Sequence, residues 1–180
     1  GDDFIENDHG DETIRLRVYR STLAIYAIMD EEFNAAIATE EALKEGKRLI
    51  ASVDDKVYQS LIERELSEVL LHASKVEYSR GRPKTAMNFA SNSVALLHSQ
   101  ASERQPSLFD EVMEGQLYFL MGSLYALTRE DHQEAVSWYE KAAPSFTHEN
   151  LPNLVDASQF GDLFVSMGVS YWQVGKKEKA

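Results

Sequence analysis

Apolar residues recur along this chain at the three-to-four-residue spacing of a helix face, and no segment sustains the apolar and polar alternation of a half-buried strand. From Thr13 to Ile28, the positions Leu16, Tyr19, Leu23 and Tyr26, with Ile25 and Ile28 beside them, predict a helix with a broad buried face. After Asp30 the pattern resumes from Glu31 to Ile50 through Phe33, Ala36, Ile37, Leu43 and Leu49, so the two segments are expected to form a first hairpin, ended by the polar link Ala51–Asp55. A third helix is expected from Val57 to Tyr78, carrying Leu61, Leu66, Val69, Leu70, Ala73 and Val76 and closed by Gly81-Arg82-Pro83. Pro83 suits the first turn of the next helix, where its missing N–H is no loss. That helix runs to about Gln100 with Ala86, Phe89, Ala90, Val94 and Leu97 on its apolar face.

Beyond the turn Ser102–Ser107, a helix from Leu108 to Leu127 carries Leu117, Leu120, Met121, Leu124 and Leu127, and a shorter one runs from His132 to Ala143, ended by Pro144. A last long helix is expected to open at Leu151-Pro152, capped by Asn150, and to reach Val174, with another beginning at Lys176. The expected class is all-α. Gly168 lies on the apolar face of its helix at a cost of about 1 kcal/mol relative to Ala, which implies that another helix passes too close to admit a Cβ.

The alanines of alternate helices, Ala36, Ala86, Ala135 and Ala180, stand 50, 49 and 45 residues apart. A near-constant period of this size marks an array of helical hairpins, each burying its apolar face against the next. The array divides as 13–53, 54–103, 104–149 and 150–180, the last hairpin incomplete. Its clearest copy, Phe164-x-x-Met167-Gly168-x-x-Tyr171-x-x-x-Gly175-x-x-x-x-Ala180, resembles the first part of a tetratricopeptide repeat. The copy before it, Tyr118-x-x-Met121-Gly122-x-x-Tyr125 followed by Ala135-x-x-x-Tyr139-x-x-Ala142, is similar, with one extra residue between Tyr125 and Ala135. The second copy keeps Gly81, Ala86 and Ala90 but has Ser74 at the small glycine position and Glu77 where an aromatic residue is usual. In the first, Tyr19, Tyr26 and the Asp30–Leu43 helix carry the likeness. All four are longer than the family's repeat of about 34 residues. The resemblance implies a right-handed α-solenoid of antiparallel hairpins.

Charge and composition narrow the function classes. The net charge is −12, yet Asp2, Asp3, Glu6, Asp8, Asp11 and Glu12 account for six of those charges with no Lys or Arg among them, which leaves −6 for the rest. Residues 1–12 are therefore expected to be a solvated, disordered acidic tail. The acidic balance disfavours nucleic acid, which needs a basic footprint. No apolar run approaches the roughly 18 residues of a membrane span, and Gly1–Asp11 is acidic where a signal peptide is basic and then apolar. With no cysteine in the chain, disulfides, thiolate metal sites and cysteine nucleophiles are excluded, and a cytoplasmic location is expected.

Candidate chemistry is sparse. None of His9, His72, His98, His132 and His148 pairs at metal-ligand spacing on one helix face, and His9-Gly10-Asp11-Glu12 fails as a calcium loop because it puts Ile5 at the first ligand position. The carboxylate pairs Glu31–Glu32, Glu40–Glu41 and Asp54–Asp55 fall at helix starts or on polar faces, where they suit the helix dipole and solvation. The expectation is a non-enzyme without metal or cofactor, acting as a protein–protein interaction module of the scaffold or adaptor kind. A peptide-sensing regulatory domain of a larger protein and a self-association unit are the alternatives.

In the family it resembles, the first helix of each hairpin lines a concave groove that takes a peptide or helix. Carried to this sequence, the groove positions are Glu68, Leu71, Lys75 and Tyr78 in the second hairpin, Gln116, Phe119, Ser123 and Ala126 in the third, and Asp162, Val165, Val169 and Trp172 in the last. Phe119 and Trp172 are explained equally well as contacts between hairpins. Only Lys75 matches the lysine, asparagine and arginine clamp by which some members grip a terminal carboxylate, so an apolar helix or extended segment suits the groove better. The stripe Phe164, Met167 and Tyr171 lacks the cover of a complete second helix, which implies a longer array and, for this chain alone, a twofold homodimer through that stripe.

Overall fold

Several helix boundaries in the computed structural model, which describes residues 9–29, 31–100, 107–146 and 161–180, have a local chemical cause. The Asp55 side chain accepts the N–H of Val57 at 2.9 Å and opens one helix. Ser107 and Asp110 form a reciprocal capping box that opens another, and the Asp131 carboxylate accepts the N–H of Glu134 at 3.0 Å to open a third. Chain reversals use left-handed backbone at Gly81 (φ 67°) and Gly175 (φ 82°), where a side chain would be strained. The resulting helices are α1 (His9–Met29), α2 (Glu32–Ser52), α3 (Lys56–Ser79), α4 (Pro83–Gln100), α5 (Leu108–Arg129), α6 (His132–Ala142) and α7 (Gly161–Gln173), with single 3-10 turns at Ala143–Phe146 and Lys177–Lys179. The fold is all-α, and no strand occurs among the described residues. No described helix is long and apolar enough to cross a membrane.

Helices α3 and α4 lie against each other in opposite directions. Between α3 and α4, Ser67 faces Ser93 while Ser74, further along α3, faces Ala86, earlier in α4. The two serines Ser67 and Ser93 are fully buried and clasp reciprocally, each hydroxyl donating to the other's carbonyl, at 3.1 and 2.6 Å. Alternate helices instead run in the same direction. Arg17 and Arg20 of α1 reach Glu65 and Glu68 of α3, Arg64 and Lys75 of α3 reach Asp110 and Gln116 of α5, and Phe119 of α5 stacks obliquely on Phe164 of α7, rings 5.0 Å apart.

A single register links the layers. In α2, α4 and α6 the buried stripes are Ala35-Thr39-Ala42, Ala86-Ala90-Ser93 and Ala135-Tyr139-Ala142, each at i, i+4 and i+7 as one helix face demands. The facing positions are Leu16 and Leu23 in α1, Ser67 and Ser74 in α3, Gly115 and Gly122 in α5, and by sequence Gly161 and Gly168 in α7. Small residues there let the partner backbone come close: a Cβ on Gly122 would meet the Tyr139 ring at 2.6 Å, and one on Gly115 would meet Cβ of Ser145 at 2.3 Å.

Several details differ from the sequence-based expectation. Ala35 takes the buried place assigned to Ala36, which is exposed, so the first copy is shifted by one residue. Helix α1 begins at His9, inside the segment read as an acidic tail, and residues 1–8 lie outside the described residues. So do Asn150 and the expected opening of the last helix at Leu151. Instead of a further helix from Lys176 there is one 3-10 turn. Ala180 is exposed, and its carbonyl oxygen lies 3.2 Å from where a Cβ on Gly168 would be, so the backbone just after the last 3-10 turn, and no described helix, crowds that glycine.

Candidate interaction surface

The register explains where the expected groove residues lie. Position Leu71 in α3 corresponds to Phe119 in α5 and Val165 in α7, and in the interior layers this position faces the next parallel helix. Leu71 and Phe119 are accordingly buried, both in the central apolar cluster. Ser123 is also buried, its hydroxyl 2.9 Å from the Tyr139 hydroxyl. Lys75 is half-buried and donates to Gln116 Oε1 at 2.8 Å, and Glu68 is buried against Arg20. Leu71, Phe119 and Ser123 therefore lie buried in the seam between helices. Helical spacing alone does not say which neighbour stands opposite a stripe.

In α7 the equivalent side chains are open. Val165 is 68% exposed and Trp172 58%, and Val169 between them is exposed as well. With Tyr78 from α3, Ala126 and Leu127 from α5, and His132 from α6, Val165, Ser166 and Val169 line an open depression of about 380 Å³. Tyr78, Val165 and Val169 are thus brought to one place, and Ala126 joins them. Leu127, expected on the apolar face of its helix, is more than half exposed here, and His132 and Ser166 were not singled out for this surface, since only the packing of α6 and α7 against the end of α5 brings them to this mouth.

The walls are apolar and the polar groups beneath them are satisfied. His132 Nδ1 lies 3.1 Å from Ser170 Oγ, which donates to the Ser166 carbonyl at 2.9 Å. The Tyr139 hydroxyl donates to Ser166 Oγ at 3.2 Å, and burial holds its phenol above the ordinary pKa. At the far end the Lys177 ammonium sits 4.7 Å over the Trp172 ring, a cation–π contact worth about 0.5–1 kcal/mol at an exposed site. Lys176 and Lys179 both reach Glu140, and these bonds lower its carboxyl pKa.

The stripe expected to drive self-association is divided. Tyr171 is buried against Tyr139, rings 6.4 Å apart, and Met167 packs on the same cluster, while Phe164 stays half exposed over Phe119. Tyr171 and Met167 already find cover inside the molecule, because α7 leans on α6 as α5 leans on α4, so a twofold contact through the full stripe is not available.

Away from this surface, His98, Glu114 and Tyr118 form a small cluster of titratable side chains between α4 and α5. The Tyr118 hydroxyl donates to Glu114 and lies 2.9 Å from His98 Nε2. Burial and the adjacent carboxylate push its pKa well above the ordinary value. A phenol so held stays protonated and serves as a donor that pins α4 to α5. Among the described residues no group of three or more His, Asp or Glu side chains is placed to hold a metal ion. No protein-family model, curated protein or solved structure matches the chain.

Proposed function

We propose that the chain is a protein–protein interaction module without catalytic activity of its own, a right-handed α-solenoid of antiparallel hairpins of the tetratricopeptide kind, which takes an apolar helix or extended segment of a protein partner at the α7 end of its groove. The layer register supports the repeat reading: the small-residue stripes of α2, α4 and α6 recur at one helical position, and the glycines of α5 and α7 recur at another. The observation that carries the binding reading is the open apolar wall of Val165, Val169 and Trp172 beside Tyr78 and Leu127. Solvent contact with this much contiguous apolar side chain is the mark of a surface meant to be covered, and a helix laid in a groove through anchors at i, i+4 and i+7 matches the wall's own spacing.

The test is a fluorescence titration against designed amphipathic helical peptides with leucines along one face, compared with peptides of the same composition and scrambled order. Trp172 should change emission with the patterned peptides alone, and Val169→Glu should abolish the response. Equal responses to both peptide sets, or none to either, would reject groove binding.

A further inference from the structure

Phe33 is the most exposed large apolar side chain among the described residues, 76% open to solvent, and Ile37, one turn along the same face of α2, is 41% exposed. Residues four apart on a helix are surface neighbours, so the two form one apolar spot. They stand two residues before and two after Ala35 of the buried stripe, and the same places hold Lys84 and Asn88 in α4 and Gln133 and Ser137 in α6. Lys84, Asn88 and Gln133 are exposed and Ser137 is half-buried, although one hairpin precedes α4 and another follows it. This is the side of α2, α4 and α6 turned away from their neighbours, and in α4 and α6 it is polar, as a solvated helix face should be. The exposure of Phe33 and Ile37 therefore does not depend on which hairpins flank α2. Isolated exposed apolar residues are ordinary, but here two adjoin where both sister helices carry polar ones.

Charge selects what covers them. Residues 21–43 hold Asp30, Glu31, Glu32, Glu40 and Glu41 and no Lys or Arg. Glu40 continues the face of Phe33 and Ile37 one turn on, and Glu31, Glu40 and Glu41 are all exposed. Glu31 accepts from the Asn34 side-chain amide at 3.1 Å and Glu41 meets the Tyr19 hydroxyl, both neutral donors. Arg15 and Arg48 are held by Glu45, and Arg80 and Arg82 by Glu77. We propose that this face of α2 seats a basic amphipathic helix of a partner protein, with its apolar side on Phe33 and Ile37 and its lysines or arginines against Glu40 and Glu41. Aromatic side chains are enriched where interfaces bury their centre, and a helix laid through apolar anchors with charge at the rim is an established way of docking. A second copy of this chain would set acid against acid, which costs affinity. Anionic lipid and nucleic acid are repelled for the same reason. The surface lies on another helix than the α7 groove and does not rest on that reading.

Fluorescence anisotropy with two labelled helical peptides tests this. Both carry leucines along one face, flanked by lysines in one and by glutamates in the other. The lysine-flanked peptide should bind, more weakly as salt rises, and the glutamate-flanked one should not. Phe33→Ser should weaken binding by about tenfold or more, the worth of one buried Phe side chain. Glu40→Lys should weaken the lysine-flanked peptide and admit the glutamate-flanked one. Both side chains are exposed, so the helical circular dichroism should stay unchanged, and Ile37→Ser replaces Phe33→Ser if it does not.

Equal affinity for the two peptides, or variants at Phe33 and Glu40 that bind as the wild type does, overturns the proposal. So does binding of the chain to phosphatidylglycerol vesicles in place of the peptide. Loss of binding in Val169→Glu with full binding in Phe33→Ser places the peptide in the α7 groove, which overturns the α2 site and supports the groove. No binding of the lysine-flanked peptide at all overturns the α2 site and leaves the groove to its own titration.

Discussion

Replacing Gly122 by Ala sets two known effects against each other at one atom. Helix propensity favours Ala in the interior of α5 by about 1 kcal/mol. Against it, the new Cβ would stand 2.6, 2.7 and 2.9 Å from Cε1, Cδ1 and Cζ of Tyr139. The ring has little room to yield: it is buried, lies 5.3 Å from Phe119 and 6.4 Å from Tyr171, and its hydroxyl links Ser123 and Ser166. Forcing an extra methyl into such a site costs about 1–3 kcal/mol, and moving the hydroxyl off its partners costs about 1 kcal/mol per lost hydrogen bond. The net expectation is a destabilisation of about 1–3 kcal/mol, which in a chain of this size lowers the melting midpoint by several degrees at about 2–4 °C per kcal/mol. Gly46→Ala is the internal control, because its Cβ would meet only the methyl groups of Leu66 at 2.9 and 3.0 Å, the free end of a flexible side chain. Urea and thermal unfolding followed by circular dichroism decide the matter. A Gly122→Ala chain as stable as wild type or more so would show that Tyr139 does not lie over this glycine and that the α5–α6 contact is misplaced.

Removing Arg20 should cost about 3 kcal/mol in urea unfolding, because it strands the buried carboxylate Glu68 without its guanidinium, while Glu65 keeps Arg17 and Arg64. Burial already pushes the Glu68 pKa up in spite of Arg20, so the Arg20→Met, Glu68→Leu pair should recover most of the loss, and no recovery would show that the cost was not electrostatic. His72 gives a pH test. Burial first, then Lys75 and Arg20, lower its pKa to about 4 from an ordinary 6.5. The unfolded chain therefore takes up a proton that the folded chain refuses, so stability present above pH 6.5 falls as the pH drops towards 4, by up to about 3 kcal/mol. His72→Gln should flatten the change in urea midpoint between those pH values, and an identical slope in the variant would refute the reading.

Helix existence and type were legible from periodicity, and α4 matches its expected bounds of Pro83 and Gln100 because Pro83 and the hairpin glycine before it are local signals. What could not be read were the features set by a neighbour. Ala36 and Ala35 are equally good small residues in the sequence, and only the position of α1 and α3 selects the second. Glu65 and Ser67 carry no signal of burial in the sequence yet are buried, because α1 brings arginines and α4 brings Ser93 to meet them. The assigned groove positions are buried in the interior and exposed at the end for one reason: the same helical position is a seam where another helix follows, as at Leu71 and Phe119, and a surface where none follows among the described residues, as at Val165 and Trp172.

The central claim is that the exposed face of α7 is a seat for another helix, and a photo-activated cross-linker placed at Val169 tests it most directly. In the purified chain mixed with the leucine-faced helical peptide, irradiation should yield an adduct between Val169 and that peptide. The same reagent at exposed Lys84 of α4 should give none. Adducts from Val169 confined to its own molecule, or equal in yield to those from Lys84, would contradict the account.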